Sequence, residues 1–313
     1  MSITVLRTAD AWWVHTPRGA ARVATDATTT RGLLTHRDLL QAAATSTETV
    51  DETTLDLLSP VTAPCRVVAQ MTNFASHVKD SGLNPDTIPL TFFRKTSGSI
   101  SGPYDDIVRP EHVRFLDYEV EIGLVIGQEL PVGTQVTEES WTSYVAGLVV
   151  TNDVSARDVQ LPKTQFFESK SYPTFTPIGP ALVLLDVDEL KRFGDLHLRT
   201  WVNGELRQDA TVREDMIYSP REALQALSRF QRLEPGDLLL TGTPKGTALS
   251  APPKPVEIIA SLLPAAVKWK LFFQRQALNP RYLQPGDVVE LEIGTDDGAL
   301  DLGRQRTVVR SAS

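Results

Sequence analysis

The stretch "LDYEVEIGLVIG", residues 116–127, most constrains what this chain can fold into. Leu116, Val120, Ile122, Leu124, Val125 and Ile126 give it the apolar density of a strand buried within a sheet. Yet Asp117, Glu119 and Glu121 interrupt it at every second position. Successive side chains of a strand point to opposite faces, so the three acids share one face and Tyr118, Val120 and Ile122 the other. Glu119 and Glu121 then have Cα atoms about 7 Å apart. Two ionised carboxylates that close repel, and burying either one unpaired is costly. Basic partners, a bound cation or an open, solvated strand face each answer the difficulty. Carboxylate oxygens without neighbouring His or Cys favour a hard ion such as Mg²⁺ or Mn²⁺, with Ca²⁺ as an alternative.

Such a strand needs a sheet around it. Short strand patterns recur in "SITVLR", "AWWVHT", "GAARVAT", "CRVVAQ", "AGLVVTNDVS", "PIGPALVLLD" and "HLRTWVNGELRQD". Asn203-Gly204 in the last of these signals a type I′ hairpin. Helical patterns are fewer: residues 36–48 at their start, 72–80 with Thr72 or Asn73 as N-cap, a segment before residue 145, and a capped helix in "SPREALQALSRFQRL". After Asp153 the spacing predicts a turn, and residues 82–110 read mostly as loop with short strands. "LEPGDLLLTGT" and "LQPGDVVELEIGT" each pair a Pro-Gly-Asp turn with an apolar strand, as two ways into one β-rich body. Regular βαβ alternation is missing, so a β-rich α+β fold is expected. A Thr-, Glu- and Pro-rich passage places a boundary near residue 60, between a small N-terminal module (1–60) and a larger domain (61–313).

Composition narrows the function. Lys and Arg total 31 against 39 Asp and Glu, a formal charge of -8, which argues against a general nucleic-acid binder. Cys65 is the single cysteine, so neither an internal disulfide nor a multi-thiolate zinc site can form. No run of apolar residues is long enough to span a membrane, and the N-terminus lacks a basic start followed by an apolar stretch. A cytoplasmic protein is the simplest expectation.

Further residues carry chemistry. Asp153 ends the apolar run "VAGLVV", a natural place to present a ligand, although Asp158 five residues on competes for that role. Two carboxylates and a third would leave positions open for water and substrate, as a catalytic Mg²⁺ site requires. His77 precedes Asp80 by three residues in a short helix, a spacing that shares one face and lets an acid orient the imidazole. Lys170 lies among aromatics and prolines, where a partly buried ammonium could neutralise a carboxylate or an enolate oxygen. "TGTPKG" is a Gly/Thr turn without the spacing of a phosphate loop.

Taken in order, "NFASHVKD", "LDYEVEIGLVIG", "TNDVSARDVQ", "SKSYPTFTPIGP", "VNGELRQD", "LEPGDLLLTGTPKG" and "LQPGDVVELEI" resemble the fumarylacetoacetate hydrolase superfamily. The resemblance runs from about residue 65 to 309 and implies a mixed β-sandwich roll, usually a homodimer. It implies a divalent metal on Glu119, Glu121 and Asp153, with Lys170 as the active-site lysine. It implies that His77, on a lid-like helix, pairs with an acid to activate water, and that Arg157, Gln160 and Thr243 lie near the substrate. Asp117 matches no ligand position and reads as structural. The family's shared chemistry concerns 2-oxo acids and 1,3-dicarbonyls, with Lewis-acid stabilisation of an enolate.

The first expectation is therefore a metal-dependent hydrolase cleaving a C–C bond in an acylpyruvate-like or other 1,3-diketo acid. The alternative is a decarboxylase, dehydratase or tautomerase of a 2-oxo acid on the same metal site. A non-catalytic metal- or ligand-binding relative is the third. Three departures from the family pattern bear on these. Phe74 stands where the lid motif has Tyr, Asp80 stands where it has Glu, and residues 247–282 are longer than the usual link between the two Pro-Gly-Asp turns. That segment has helical propensity and an apolar stripe through Ala266, Trp269, Phe272 and Phe273. It reads as an extra helix on its own domain, a dimer contact or a wall of the substrate pocket.

Overall fold

The alternation that runs through the sequence resolves into two sheets with the main core between them. The structure is a computed structural model that describes residues 2–251 and 263–312. Part of the 247–282 stretch thus lies outside the described residues. In chain order the strands of the two sheets are β1 (Ile3–Arg7), β2 (Trp12–Thr16), β3 (Gly19–Arg22), β4 (Val67–Gln70), β5 (Phe92–Lys95), β6 (Ile107–Arg109) and β7 (Val120–Ile126). They continue with β8 (Val145–Asn152), β9 (Leu182–Leu184), β10 (Leu196–Val202), β11 (Glu205–Thr211), β12 (Leu238–Leu240), β13 (Val288–Thr295) and β14 (Asp301–Ser311). The helices that matter below are α1 (Arg37–Ala44), α2 (Ala75–Asp80), α3 (Arg157–Lys163), α4 (Pro220–Ser228) and α5 (Ala265–Gln276).

Among the described residues, nine strands form one sheet in the order β3-β2-β1-β9-β8-β7-β12-β4-β5, and five form another in the order β11-β10-β13-β14-β6. Both are mixed: β12–β4 and β14–β6 are parallel, and the other pairs are antiparallel. This is the β-rich α+β fold expected from the sequence. Ile122, Leu124, Leu148 and Val150 of the first sheet meet Leu198, Leu291, Ile293 and Leu302 of the second in one buried cluster. A second cluster joins Val125, Val149, Leu182 and Leu238 to Val14, Leu33 and Leu40 of the N-terminal segment. β1 pairs with β9, so the first strands extend the large sheet.

The two Pro-Gly-Asp turns work alike in different sheets. Asp237 accepts from the Glu234 amide and Asp287 from the Gln284 amide, so each aspartate closes its own turn. One turn leads into β12 and the other into β13. The Asn203-Gly204 turn has φ +53° and +80°, as a type I′ hairpin requires. Ser219 and Glu222 cap α4 reciprocally.

Three local expectations are corrected. The helix 72–80 begins later, at Ala75, and neither Thr72 nor Asn73 caps it. The Asn73 side chain is drawn away to Tyr218 and to the Thr241 carbonyl. The segment before residue 145 makes only a 3₁₀ turn, Trp141–Tyr144. Residues after Asp153 form no simple turn. Ser155–Ala156 pairs with Leu116–Asp117, and the helix α3 follows, with Pro162 tolerated near its end and Thr164 left-handed beyond it.

Candidate active site

The antiparallel register of β7 and β8 builds the acidic cluster. Val120 stands opposite Asn152 and Glu121 opposite Thr151, so one step beyond β8 the Asp153 amide donates to the Glu119 carbonyl. Asn152 Oδ1 accepts from the Glu119 amide and fixes the same corner. Glu119, Glu121 and Asp153 are all buried, and each offers an oxygen within 4.8 Å of the others. Gln208 of β11 reaches across from the second sheet. It accepts from the Val120 amide and donates to Thr243 Oγ1 and the Pro244 carbonyl.

Cations surround the cluster unevenly. Lys170 Nζ lies 2.6 Å from Glu119 Oε2 and 2.5 Å from Asp153 Oδ2. Lys95 Nζ lies 2.5 Å from Asp153 Oδ1 and also donates to the Phe175 carbonyl. Arg157 donates from Nη2 to Glu119, from Nε to Asp117 and from Nη1 to Gln160 Oε1. Asp117 in turn accepts from the Ala248 and Leu249 amides, which makes it a structural tie for Arg157 and that turn. Among the described residues, Glu121 receives only the Gly242 amide, at 2.7 Å. Gly242 has φ +86°, and a Cβ there would meet the Asn73 Cβ at 2.9 Å, so this donor needs glycine.

The electrostatics follow. Burial disfavours the Glu119 carboxylate, but Lys170 and Arg157 outweigh it and hold that group well below the ordinary range. Burial, Asp153 and Glu119 push Glu121 well above it. Burial also opposes the Lys170 charge, but Asp153 and Glu119 overcome it and keep the ammonium above its usual value. Among the described residues, four buried carboxylates, Asp117, Glu119, Glu121 and Asp153, thus face three buried cations, Lys95, Arg157 and Lys170. The deficit falls on Glu121. Hard oxygen donors and a missing positive charge fit a divalent ion held by Glu119, Glu121 and Asp153.

The cluster opens into a cavity of about 500 Å³ that also holds His77, Gln160 and Thr243. The His77 Nδ1 is buried without a hydrogen-bond partner among the described residues, and burial pushes the imidazole down against the pull of Glu119. Asp80 is exposed and makes no hydrogen bond to His77, so the expected orienting pair is not formed. Asp158 caps the Arg114 amide and is not part of the cluster. Of the residues singled out from sequence, Glu119, Glu121, Asp153, Lys170, Arg157, Gln160, Thr243 and His77 come together; Asp80 does not.

Sequence reading missed three residues. Lys95 sat in a stretch read mostly as loop, although alternation in "FFRK" puts it on the face of Phe93. Gln208 gave no signal beyond its place in a hairpin. Gln70 ends the apolar β4, lines the cavity, and leaves both amide atoms buried without partners among the described residues. On the far wall, α5 contributes Lys268, Trp269 and Phe272. It is anchored by Phe273 stacked on Phe115 at 5.3 Å and by the Tyr282 hydroxyl donating to Gln276.

The chain is similar to known proteins over most of its length. A mitochondrial oxaloacetate tautomerase of Rattus norvegicus is 35% identical over 214 residues, covering 68% of this chain and 66% of that protein. One from Xenopus laevis is 33% identical over 241 residues, covering 76% of this chain and 65% of the relative. The chain thus spans just under two thirds of the length of these relatives. A crystal structure from Mycobacterium abscessus, described as a probable 2-hydroxyhepta-2,4-diene-1,7-dioate isomerase, superposes with a TM-score of 0.76 at 29% identity, covering 100% of both chains. The fumarylacetoacetate hydrolase of Exiguobacterium antarcticum gives 0.71 at 28% identity, again over 100% of both chains. The family model for the fumarylacetoacetate hydrolase C-terminal domain matches residues 66–310, the span that carries both the carboxylate cluster and its cavity, and this chain belongs to that family.

Proposed function

We propose that the chain is a divalent-metal-dependent tautomerase or isomerase of a 2-oxo acid. The carrying observation is the buried Glu119–Glu121–Asp153 cluster opening onto a cavity that holds His77 without an acid partner. The names of the oxaloacetate tautomerases support the reaction class. C–C bond hydrolysis, the leading expectation from sequence, becomes the second reading, because the acid expected to orient His77 for water activation stands away from it.

Glu119, Glu121 and Asp153 would hold Mg²⁺ or Mn²⁺, and the bound ion supplies Lewis acidity toward the oxygens of a 2-oxo acid. The chain's own residues do the rest. His77 accepts a proton from the carbon beside the 2-oxo group. The C–H electron pair forms the new C=C bond, the carbonyl π pair moves onto oxygen, and a proton taken up there completes the enol. Lys170 offsets the negative charge gathering on that oxygen. Thr243 Oγ1 accepts from Gln208, which leaves its own proton to donate to a substrate oxygen. Gln160 Oε1 accepts from Arg157, which leaves its amide N–H groups for the same purpose. Arg157 itself is committed to Asp117, Glu119 and Gln160 and positions them.

We also propose a homodimer, tested by light scattering in solution. Among the described residues no helix is long and apolar enough to cross a membrane. A cytoplasmic location is proposed on sequence alone, and the mitochondrial relatives speak against it. The function is tested by giving the protein enol-oxaloacetate or an acylpyruvate with Mg²⁺ and following products by NMR. The keto isomer with an intact carbon skeleton is expected. Two carboxylic acids from the acylpyruvate would favour hydrolysis, and CO₂ would favour decarboxylation. Metal binding without turnover of any oxo or diketo acid would favour a binding protein.

A further inference from the structure

The cavity is larger and more apolar than a four-carbon dicarboxylate needs. Its volume of about 500 Å³ lies in the range that houses much bulkier ligands, roughly 300–1,000 Å³. Apolar lining begins at the carboxylate cluster itself. The Phe93 ring stands 5.3 Å from Lys170 Nζ and 5.1 Å from Phe166. Leu161 and Leu83 continue the lining, and α5 closes it with Trp269 and Phe272, whose rings meet edge to face at 5.7 Å. A second substrate carboxylate packed against these side chains would lose much of its water, which is costly unless it reaches a polar group of the lining such as Ser81, Ser250 or Lys268. An aromatic or long alkyl group would bury its surface at a gain of roughly 25 cal/mol per Å².

Resting on the function proposed above, we infer that this cavity takes a 2-oxo acid with a bulky apolar substituent, an aryl or long alkyl group, and that Trp269 and Phe272 determine that specificity. Both residues lie on α5, outside the carboxylate cluster, so they can set the preference without touching the metal-ligand candidates. The helix is tied down through Phe273 and Gln276, leaving Trp269 and Phe272 to face the cavity. Lys268 also reaches the lining but is exposed, and its Nζ lies 5.6 Å over the Trp269 ring.

The test compares phenylpyruvate with oxaloacetate, by calorimetric binding in Mn²⁺ and by keto–enol conversion, in wild type, Trp269→Ala, Phe272→Ala and Trp269→Phe. Wild type is expected to bind phenylpyruvate at least tenfold tighter than oxaloacetate. Each alanine variant is expected to lose tenfold or more for phenylpyruvate and less than threefold for oxaloacetate, while Trp269→Phe stays within threefold of wild type for both. Equal or tighter binding of oxaloacetate by wild type overturns the inference, and this holds even if a variant fails to fold. Equal losses for both ligands in the alanine variants overturn it too. Selective binding of phenylpyruvate without conversion of either compound supports the inference while removing the tautomerase reading; conversion of both without selectivity does the reverse.

Discussion

Lys95 Nζ and Asp153 Oδ1 lie 2.5 Å apart with both side chains wholly buried. Lys170 takes the other oxygen of the same carboxylate at 2.5 Å. Asp153 is therefore oriented from two sides, whereas Glu121, in the same cluster, receives one backbone amide among the described residues. One acid is locked in place and another is left uncompensated among the described residues, an asymmetry that fits a receptor for positive charge.

Replacing Lys95 by Met removes one partner of a buried ion pair. Breaking such a pair costs about 3–5 kcal/mol. Urea unfolding of the metal-free variant is expected to show a loss of about that size. Adding Mn²⁺ is expected to recover part of it, since the ion supplies the missing charge. An unchanged midpoint would mean that Asp153 does not depend on Lys95.

Glu121→Gln removes the carboxylate that lacks a cation and keeps its shape. Thermal melting of the metal-free variant is expected at or above the wild-type temperature, with a gain on the order of 1 kcal/mol. The rise in melting temperature that Mn²⁺ gives the wild type is expected to vanish. A variant that melts lower and still responds to Mn²⁺ would contradict this assignment.

Gln70→Leu tests the unpartnered amide. Leaving a polar group buried without hydrogen bonds costs about 1–3 kcal/mol. The variant is expected to be more stable by about 1 kcal/mol in urea and to bind the 2-oxo acid about fivefold more weakly. A loss of stability would show that the amide has partners of its own in the folded protein.

Burial and the nearby Asp237 push the Cys65 thiol up to about 12. The thiolate is the reactive form, so alkylation of the native protein is expected to stay slow at pH 8. It should rise only as the pH approaches that value, while the unfolded protein reacts about a thousandfold faster at pH 8. Mass-spectrometric labelling rates with iodoacetamide check this, and fast labelling of the native chain at pH 8 would contradict it.

Much of this site could be read from the sequence because it rests on local periodicity. Period two put Glu119 and Glu121 on one face, and the apolar run before Asp153 marked a strand ending in an acid. Spacing could not choose between Asp153 and Asp158; the hydrogen bond from the Asp153 amide to the Glu119 carbonyl brings Asp153 to the cluster, and it depends on strand register. Gln208 was illegible for the same reason, since it meets Val120 from 88 residues away and Thr243 from 35. Lys95 was hidden by the Gly, Pro and Ser that made its neighbourhood look like loop, though Phe93 two positions earlier shared its face. Sequence spacing suggested a His77–Asp80 pair, but where each side chain goes depends on what surrounds the helix. His77 turns into the cavity, and Asp80 stays in solvent.

The most direct test of the account is a metal titration of the stripped protein during keto–enol conversion of a 2-oxo acid. With Mg²⁺ or Mn²⁺ the rate is expected to rise from near zero to a plateau in the wild type, and to stay within about one hundredth of that plateau in Glu119→Ala and Glu121→Gln. Full activity of the stripped wild type in excess EDTA, or a wild-type response in Glu121→Gln, would contradict it.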